Sequence, residues 1–255
     1  GLSSVLKERK NLFVNLYGAP GTGKTMAAHA IASQLGKKLI CVNYADIESK
    51  YVGETSKNLT QLFQNPENKE HIIFFDEADA LLSKRVTEMS SATDVSVNQT
   101  RSVLLTLLNS HEGLVIFATN FISNYDSAFM RRIQYHILFE LPNSELRTKL
   151  WNYYIPAQMP VSVDISELVR ISEGLSGSDI SNAVLKSALK AAKNSELSVK
   201  QEYFEKAIEE IKASINANKK NTQPQVVKSE IIPEEQVPQE IRNKQEARSE
   251  SNAVI

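Results

Sequence analysis

The feature that most constrains this chain is an apolar stretch that runs without a break into a glycine-rich bend and then a lysine. Residues 12–17 (Leu-Phe-Val-Asn-Leu-Tyr) read as a β-strand. Gly18, Ala19, Pro20, Gly21, Thr22, Gly23, Lys24 and Thr25 follow at once and open a helical pattern that continues to residue 35. The glycines let successive backbone N–H groups turn inward with no Cβ in the way, and a helix N-terminus adds positive partial charge. A bend of this kind is suited to holding phosphate oxygens. It also needs a sheet to carry the strand, because one strand cannot bury its own apolar faces.

The rest of the chain supplies that sheet. Residues 11–141 alternate short apolar, β-rich runs (12–17, 38–43, 71–75, 114–119 and 137–141) with helical patterns (24–35, 54–63, 97–109 and 127–130). This succession predicts an α/β fold with a P-loop: a doubly wound parallel sheet of about five strands with right-handed crossovers. The near-continuous apolar runs suit strands covered on both faces. Residues 143–216 show no strong strand and read as four helices, 145–154, 166–172, 178–193 and 199–216, a small all-helical C-terminal lid domain. Ser178 or Asp179 is expected to cap the third of them. All nine glycines, eight tyrosines and nine phenylalanines precede residue 205. Residues 217–255 lack the apolar area to offset chain entropy and are expected to form a disordered tail. The expected division is therefore 1–142, 143–216 and 217–255.

Composition narrows the function. Lysine plus arginine number 29 against 30 aspartates plus glutamates, a net charge of −1. No basic excess points to nucleic acid or an anionic membrane as partner. The single cysteine, Cys41, excludes an internal disulfide, and no apolar run is long enough to span a bilayer. A cytoplasmic protein is expected, and a chain opening on Gly1 is expected to be part of a longer one. His29, His71, His111 and His136 have no metal-ligand spacing. Cys41, in an apolar run, is expected to be a buried, inert thiol. The polar stretch 83–100 is expected to be a mobile loop.

A second apolar run, residues 72–75, ends on two carboxylates, Asp76 and Glu77. In an open parallel sheet, ligands bind outside the carboxyl ends of the strands, so both acids are expected beside the glycine bend. Lys24 would then reach the β- and γ-phosphates of a nucleotide. Thr25 and Asp76 would hold Mg2+, and Glu77 would polarise the attacking water as general base. The cradle itself comprises Gly18, Ala19, Pro20, Gly21, Thr22, Gly23 and Met26. Either motif alone is open to a plainer reading, a ligand-free turn or a pair of capping acids. Together they imply triphosphate hydrolysis by positioning and charge stabilisation.

These residues resemble those of the AAA ATPases, the narrower AAA clade within AAA+, over roughly residues 11–195. The resemblance implies ATP as the nucleotide and a ring of identical subunits, most simply a homohexamer, acting on a protein substrate. Residues 114–120 resemble the family's sensor-1 strand, which places Asn120 by the γ-phosphate to orient water with Glu77. Phe129-Met130-Arg131-Arg132-Ile133 resembles the arginine-finger segment, which acts in trans on a neighbour's ATP. The family's two arginines stand three residues apart, but the segment is contracted here. Counting back from Pro142 gives Arg132 the first place and Tyr135 the second, with Arg131 as the substitute. Tyr51, within residues 50–54, resembles the aromatic pore loop that grips an unfolded polypeptide. Residues 174–180 resemble the start of the lid helix that approaches the nucleotide, without a sensor-2 arginine, and Tyr153 falls near the adenine-facing position. The stretch 98–132 is also similar to bacterial single-module members. The family module normally begins well before its phosphate-binding strand, so adenine recognition is expected to draw on a further segment. The expected function is Mg2+-dependent ATP hydrolysis driving protein remodelling or threading. The rivals are a DNA-directed loader and a weakly hydrolysing, nucleotide-gated scaffold.

Overall fold

A computed structural model of the chain describes residues 11–43, 54–68, 70–83, 92–120 and 125–221. Tyr51 and residues 222–255 lie outside them. Among the described residues, β1 (Asn11–Gly18), β2 (Leu39–Asn43), β3 (Ile72–Asp76), β4 (Gly113–Thr119) and β5 (Tyr135–Phe139) form one sheet in the order β2-β3-β4-β1-β5, every pair parallel. Helices α1 (Lys24–Gln34), α2 (Glu54–Gln64), α3 (Asp79–Leu82), α4 (Ala92–Ser110) and α5 (Ser127–Met130) connect them. The chain leaves β1 toward β2 on one side and later crosses over β1 to reach β5. The carboxyl end of β1 is thus the switch point at which such sheets bind ligands.

Alternation along the strands divides the core in two. Ile73, Phe75, Val115, Phe117 and Phe13 pack on one face with Leu59 and Phe63 of α2 and Leu104 and Leu108 of α4. Ile72, Phe74, Ile116, Ala118, Val14 and Leu16 pack on the other with Ala28 and Ala32 of α1. Small alanines let α1 lie close to the sheet, which holds its first residue, Lys24, over the end of β1. Phe117 is fully buried and stacks on Phe75 at a ring separation of 5.3 Å.

One polar cluster interrupts the first face. Asn15, Thr119 and Tyr125 are buried. Asn15 Nδ2 donates to the Tyr125 hydroxyl at 3.2 Å, Thr119 Oγ1 donates to Asn15 Oδ1 at 3.2 Å, and the Tyr125 hydroxyl donates to Thr119 Oγ1.

After β5 the chain builds α6 (Ser144–Tyr154), β6 (Val161–Ser162), α7 (Ile165–Ile171), α8 (Gly177–Lys193), β7 (Val199–Lys200) and α9 (Gln201–Asn221). Asn143, Asp164 and Ser176 cap α6, α7 and α8 through side-chain oxygens. Trp151, fully buried, donates from Nε1 to Ser172 Oγ at 3.0 Å and meets Phe204 edge-on. The guanidinium of Arg147 is buried as well. It donates from Nη1 to the Pro142 carbonyl at 2.8 Å and from Nε to the Val169 carbonyl at 3.1 Å, tying the crossover from β5 to the helices behind it.

Several expectations need correction. The α8 cap is Ser176, not Ser178 or Asp179. Ser176 keeps an extended backbone, and Asp179 completes a reciprocal capping box from the third helical position. The helical region also contains a two-residue parallel ladder between β6 and β7, too short to leave a periodic signal. The stretch expected to be loop up to residue 100 is helical from Ala92. Strand β5 begins two residues earlier than expected, in register with β1 through the pairing of Val14 with Tyr135. Cys41 is exposed, on a strand that lies at the edge of the sheet, where fewer neighbours cover its side chains. Helix α9 runs to Asn221, past the expected border at residue 216.

The stacked aromatic core gives a direct test of the packing. Phe117→Ala should lower the unfolding free energy by about 3–5 kcal/mol in urea denaturation, as expected for a large side chain removed from a site that cannot collapse. A loss under about 1 kcal/mol would contradict the packing described.

Candidate functional site

The glycine bend closes over the end of β1. Gly18, at φ 143°, lies so close to β5 that a Cβ there would stand 2.1 Å from the Phe139 carbonyl oxygen. Gly21, at φ 75°, is the other constrained position: a Cβ would meet Ser176 Oγ at 2.5 Å and Ser178 Cβ at 2.9 Å. The Ser178 amide donates to the Gly21 carbonyl at 3.2 Å. The start of α8 therefore touches the phosphate-type bend, and only glycine at position 21 permits that approach.

Lys24 is buried under this bend. Its Nζ donates to the carbonyls of Gly18 at 2.8 Å and Ala19 at 3.0 Å and to Asn120 Oδ1 at 3.2 Å. Burial lowers its pKa, and the nearby charges of Asp79 and Asp76 oppose that shift. The ammonium is thus held beneath the bend by oxygens that a phosphate oxygen can replace.

Beside it, Thr25 Oγ1 donates to Asp76 Oδ2 at 2.8 Å, which sets a hydroxyl and a carboxylate side by side at the surface. Asp76 ends β3, and its other oxygen accepts from the Glu77 amide at 3.0 Å. Glu77 has a left-handed backbone, φ 50°, unusual for a residue with a Cβ and costing roughly 1–2 kcal/mol. The strain turns the chain sharply between β3 and α3 and leaves Glu77 exposed at the cavity wall.

All of these residues meet in one cavity of about 640 Å³. Pro20, Gly21, Thr22, Gly23, Lys24, Thr25 and Met26 line one wall, and Asp76, Glu77 and Asn120 line another. Pro142, Leu146, Leu150, Tyr153, Tyr154 and Ser178 close the third, from the helical region. The residues picked out from the two motifs are thus brought together, Gly18 and Ala19 entering through their carbonyl bonds to Lys24. Tyr153 is among the lining residues, with its ring edge-on to Tyr154.

Arg131 and Arg132 are elsewhere. Arg132 donates from Nε to Asn109 Oδ1 at 2.9 Å and from Nη1 to the Ala128 carbonyl at 2.9 Å. Arg131 donates from Nε to the Ser127 carbonyl at 3.3 Å. Neither lines the cavity that holds Lys24. Among the histidines, His111 is buried edge-on to Phe63, and burial lowers its pKa.

Sequence reasoning missed Asp79. Both of its carboxylate oxygens accept from the Asn120 amide, each at 3.1 Å, so the acid fixes the point where β4 ends. Its signal was a third acid in Asp76-Glu77-Ala78-Asp79, at the start of the next helix. Leu146, Leu150 and Tyr154 were missed too, since apolar residues on an amphipathic helix look like core.

The site fits magnesium as far as the donors go. A hydroxyl and a carboxylate oxygen are hard ligands of the kind the ion prefers. Among the described residues no group of three or more His, Cys, Asp or Glu could hold an ion alone, so phosphate oxygens would have to complete the set. Among the same residues, no helix is long and apolar enough to cross a membrane.

Comparison with known proteins agrees with this geometry. The model of the family described as "ATPase family associated with various cellular activities" matches residues 14–141, and an AAA+ lid-domain model matches residues 162–206. A 26S proteasome regulatory subunit 4 homolog of Schizosaccharomyces pombe is 33% identical over 210 residues, 78% of this chain and 46% of its own length. A proteasome-activating nucleotidase of Aeropyrum pernix is 31% identical, with 80% and 51% covered. A putative 26S proteasome regulatory subunit homolog of Methanocaldococcus jannaschii is 37% identical, with 70% and 49% covered. The chain spans about half the length of these curated relatives.

The contact at Gly21 yields a prediction. Gly21→Ala should weaken triphosphate binding about tenfold or more, because a Cβ there is strained and displaces α8. Unchanged binding in a fluorescence titration would mean that the approach of α8 to the bend is dispensable.

Proposed function

The chain belongs to the AAA family of ATPases, and from that membership and its site we propose that it hydrolyses ATP to remodel or thread a protein. The observation that carries the reading is the convergence of Lys24, the Thr25–Asp76 pair, Glu77 and Asn120 on one cavity. Lys24 binds the β- and γ-phosphates in place of the carbonyls it now contacts. Thr25 and Asp76 hold Mg2+, which supplies charge neutralisation on the phosphate oxygens. Glu77, exposed at the cavity wall, takes a proton from the attacking water, and Asn120 orients that water. Leu146, Leu150 and Tyr153 offer an apolar and aromatic surface to the adenine.

Arg132, with Arg131 beside it, is proposed to serve a neighbouring subunit's ATP in trans. Its absence from the lining of its own chain's cavity supports this division. Self-assembly, most simply as a homohexamer, draws support from edge strand β5, where Tyr135, Ile137 and Leu138 expose large apolar side chains. Tyr51 is proposed as the residue that grips the polypeptide. The relatives named for proteasome regulation and activation support a protein rather than DNA as substrate, as does the balanced charge. A cytoplasmic location is part of the same proposal.

Two variants test the chemistry. Glu77→Gln should bind ATP but release phosphate at least about 10²-fold more slowly, the usual weight of a general base. Normal turnover by that variant would remove Glu77 from its role. Arg132→Ala should lose about 10³-fold or more in turnover and regain activity when mixed with Glu77→Gln subunits. In mixed assemblies the intact arginine then meets an intact base. Absence of rescue would count against catalysis in trans.

A further inference from the structure

The ring of hydrogen bonds among Asn15, Thr119 and Tyr125 has no part in holding nucleotide, yet it sits between the two halves of the proposed mechanism. Each member gives one bond and takes one. Tyr125 donates to Thr119, Thr119 to Asn15, and Asn15 back to Tyr125. All three side chains are buried, Asn15 completely, on a face otherwise filled by Phe13, Phe117 and Phe129. Three apolar residues of similar shape would fill that space without needing any bond. A closed polar ring fixes an orientation that apolar packing leaves free, because every member would be left unsatisfied by a slip in register.

What the ring fixes can be followed along the chain. Thr119 is the last residue of β4, and the next residue is Asn120, whose amide is held by Asp79 and whose side chain meets Lys24. Tyr125 bridges to Ser83, and Asp126 after it donates its amide to the Leu82 carbonyl at 2.8 Å. The Asp126 carboxylate then caps α5 through the Ala128 amide at 2.8 Å. That helix delivers Arg131 and Arg132 directly. Asn15 ties both to β1, three residues before Gly18. One ring thus joins the strand that carries the glycine bend, the strand that ends just before Asn120, and the residue that precedes the cap of α5, the short helix that leads to Arg131 and Arg132. Burial pushes the Tyr125 hydroxyl up to about 12, so it keeps its proton and stays a donor at working pH.

We propose that Tyr125, through this ring with Asn15 and Thr119, is a positioning residue that sets the segment from α5 to Arg131 and Arg132 in register with the Asn120 end of its own chain's nucleotide site. This deepens the ATPase reading and rests on it.

Two readouts test it on the full chain, on Tyr125→Phe, on the triple variant Asn15→Leu, Thr119→Val, Tyr125→Phe, in which no polar group of the ring is left to satisfy, and on Arg132→Ala with and without Tyr125→Phe. Steady-state turnover and thermal melting are measured on each. Positioning predicts that Tyr125→Phe loses about tenfold in kcat with KM within about twofold. It also predicts that the triple variant recovers the melting temperature of the full chain but not its kcat. Adding Arg132→Ala to Tyr125→Phe should cost no more than Arg132→Ala alone, because both act through one group. If kcat of Tyr125→Phe is unchanged, or if the triple variant restores kcat together with melting, the ring is packing only and the proposal is overturned. Failure of the ATPase reading itself would show separately, as absent turnover in the unsubstituted chain.

Discussion

The structure depends on a lysine ammonium that is partly withdrawn from water and held by oxygens. Lys24 opens α1, and its Nζ is bound by the carbonyls of Gly18 and Ala19 and by Asn120 Oδ1. Burying such a charge is costly unless it is matched, and here bend, β4 and the nearby acids supply the match. Three separate pieces of chain must therefore arrive together for the lysine to be tolerated. The order β2-β3-β4-β1-β5 brings them there, since β4 lies against β1 and β3 against β4.

The sheet and the cavity wall of Asp76 and Glu77 were legible because their signals are local. Apolar runs marked β1, β3 and β4 almost to the residue, and a carboxylate pair at a strand end can hardly point anywhere but the ligand side. What escaped the sequence depends on neighbours distant in the chain. Asn15 looks like a polar accident in an apolar strand until Tyr125, 110 residues later, bonds to it. Asp79 reads as a helix-start acid until the Asn120 amide is seen on its carboxylate. Cys41 was misjudged because strand position, edge or centre, is not written in the strand's own residues. The cap of α8 moved to Ser176 because three nearby positions, Ser176, Ser178 and Asp179, all offer capping oxygens and only backbone angles choose among them.

The helical region contributes more than a cover. Arg147 secures the turn from β5 into α6 through two carbonyls, and Ser178 meets Gly21 directly. These contacts set α6 and α8 against the glycine bend, so the cavity has a wall made from each part of the fold. Gly21 joins the cavity to the helical region through Ser178, and Asn120 follows directly on Thr119, whose partner Tyr125 precedes the cap of α5.

The central claim is that one magnesium triphosphate seats against Lys24, Thr25 and Asp76. Calorimetric titration of the chain with a slowly hydrolysed ATP analogue, with magnesium and with chelator, addresses it most directly. One nucleotide per chain should bind saturably, more weakly by a wide margin once magnesium is removed, and not at all to Lys24→Ala. Heat of binding that is absent at every concentration, or indifferent to both magnesium and Lys24, would contradict it.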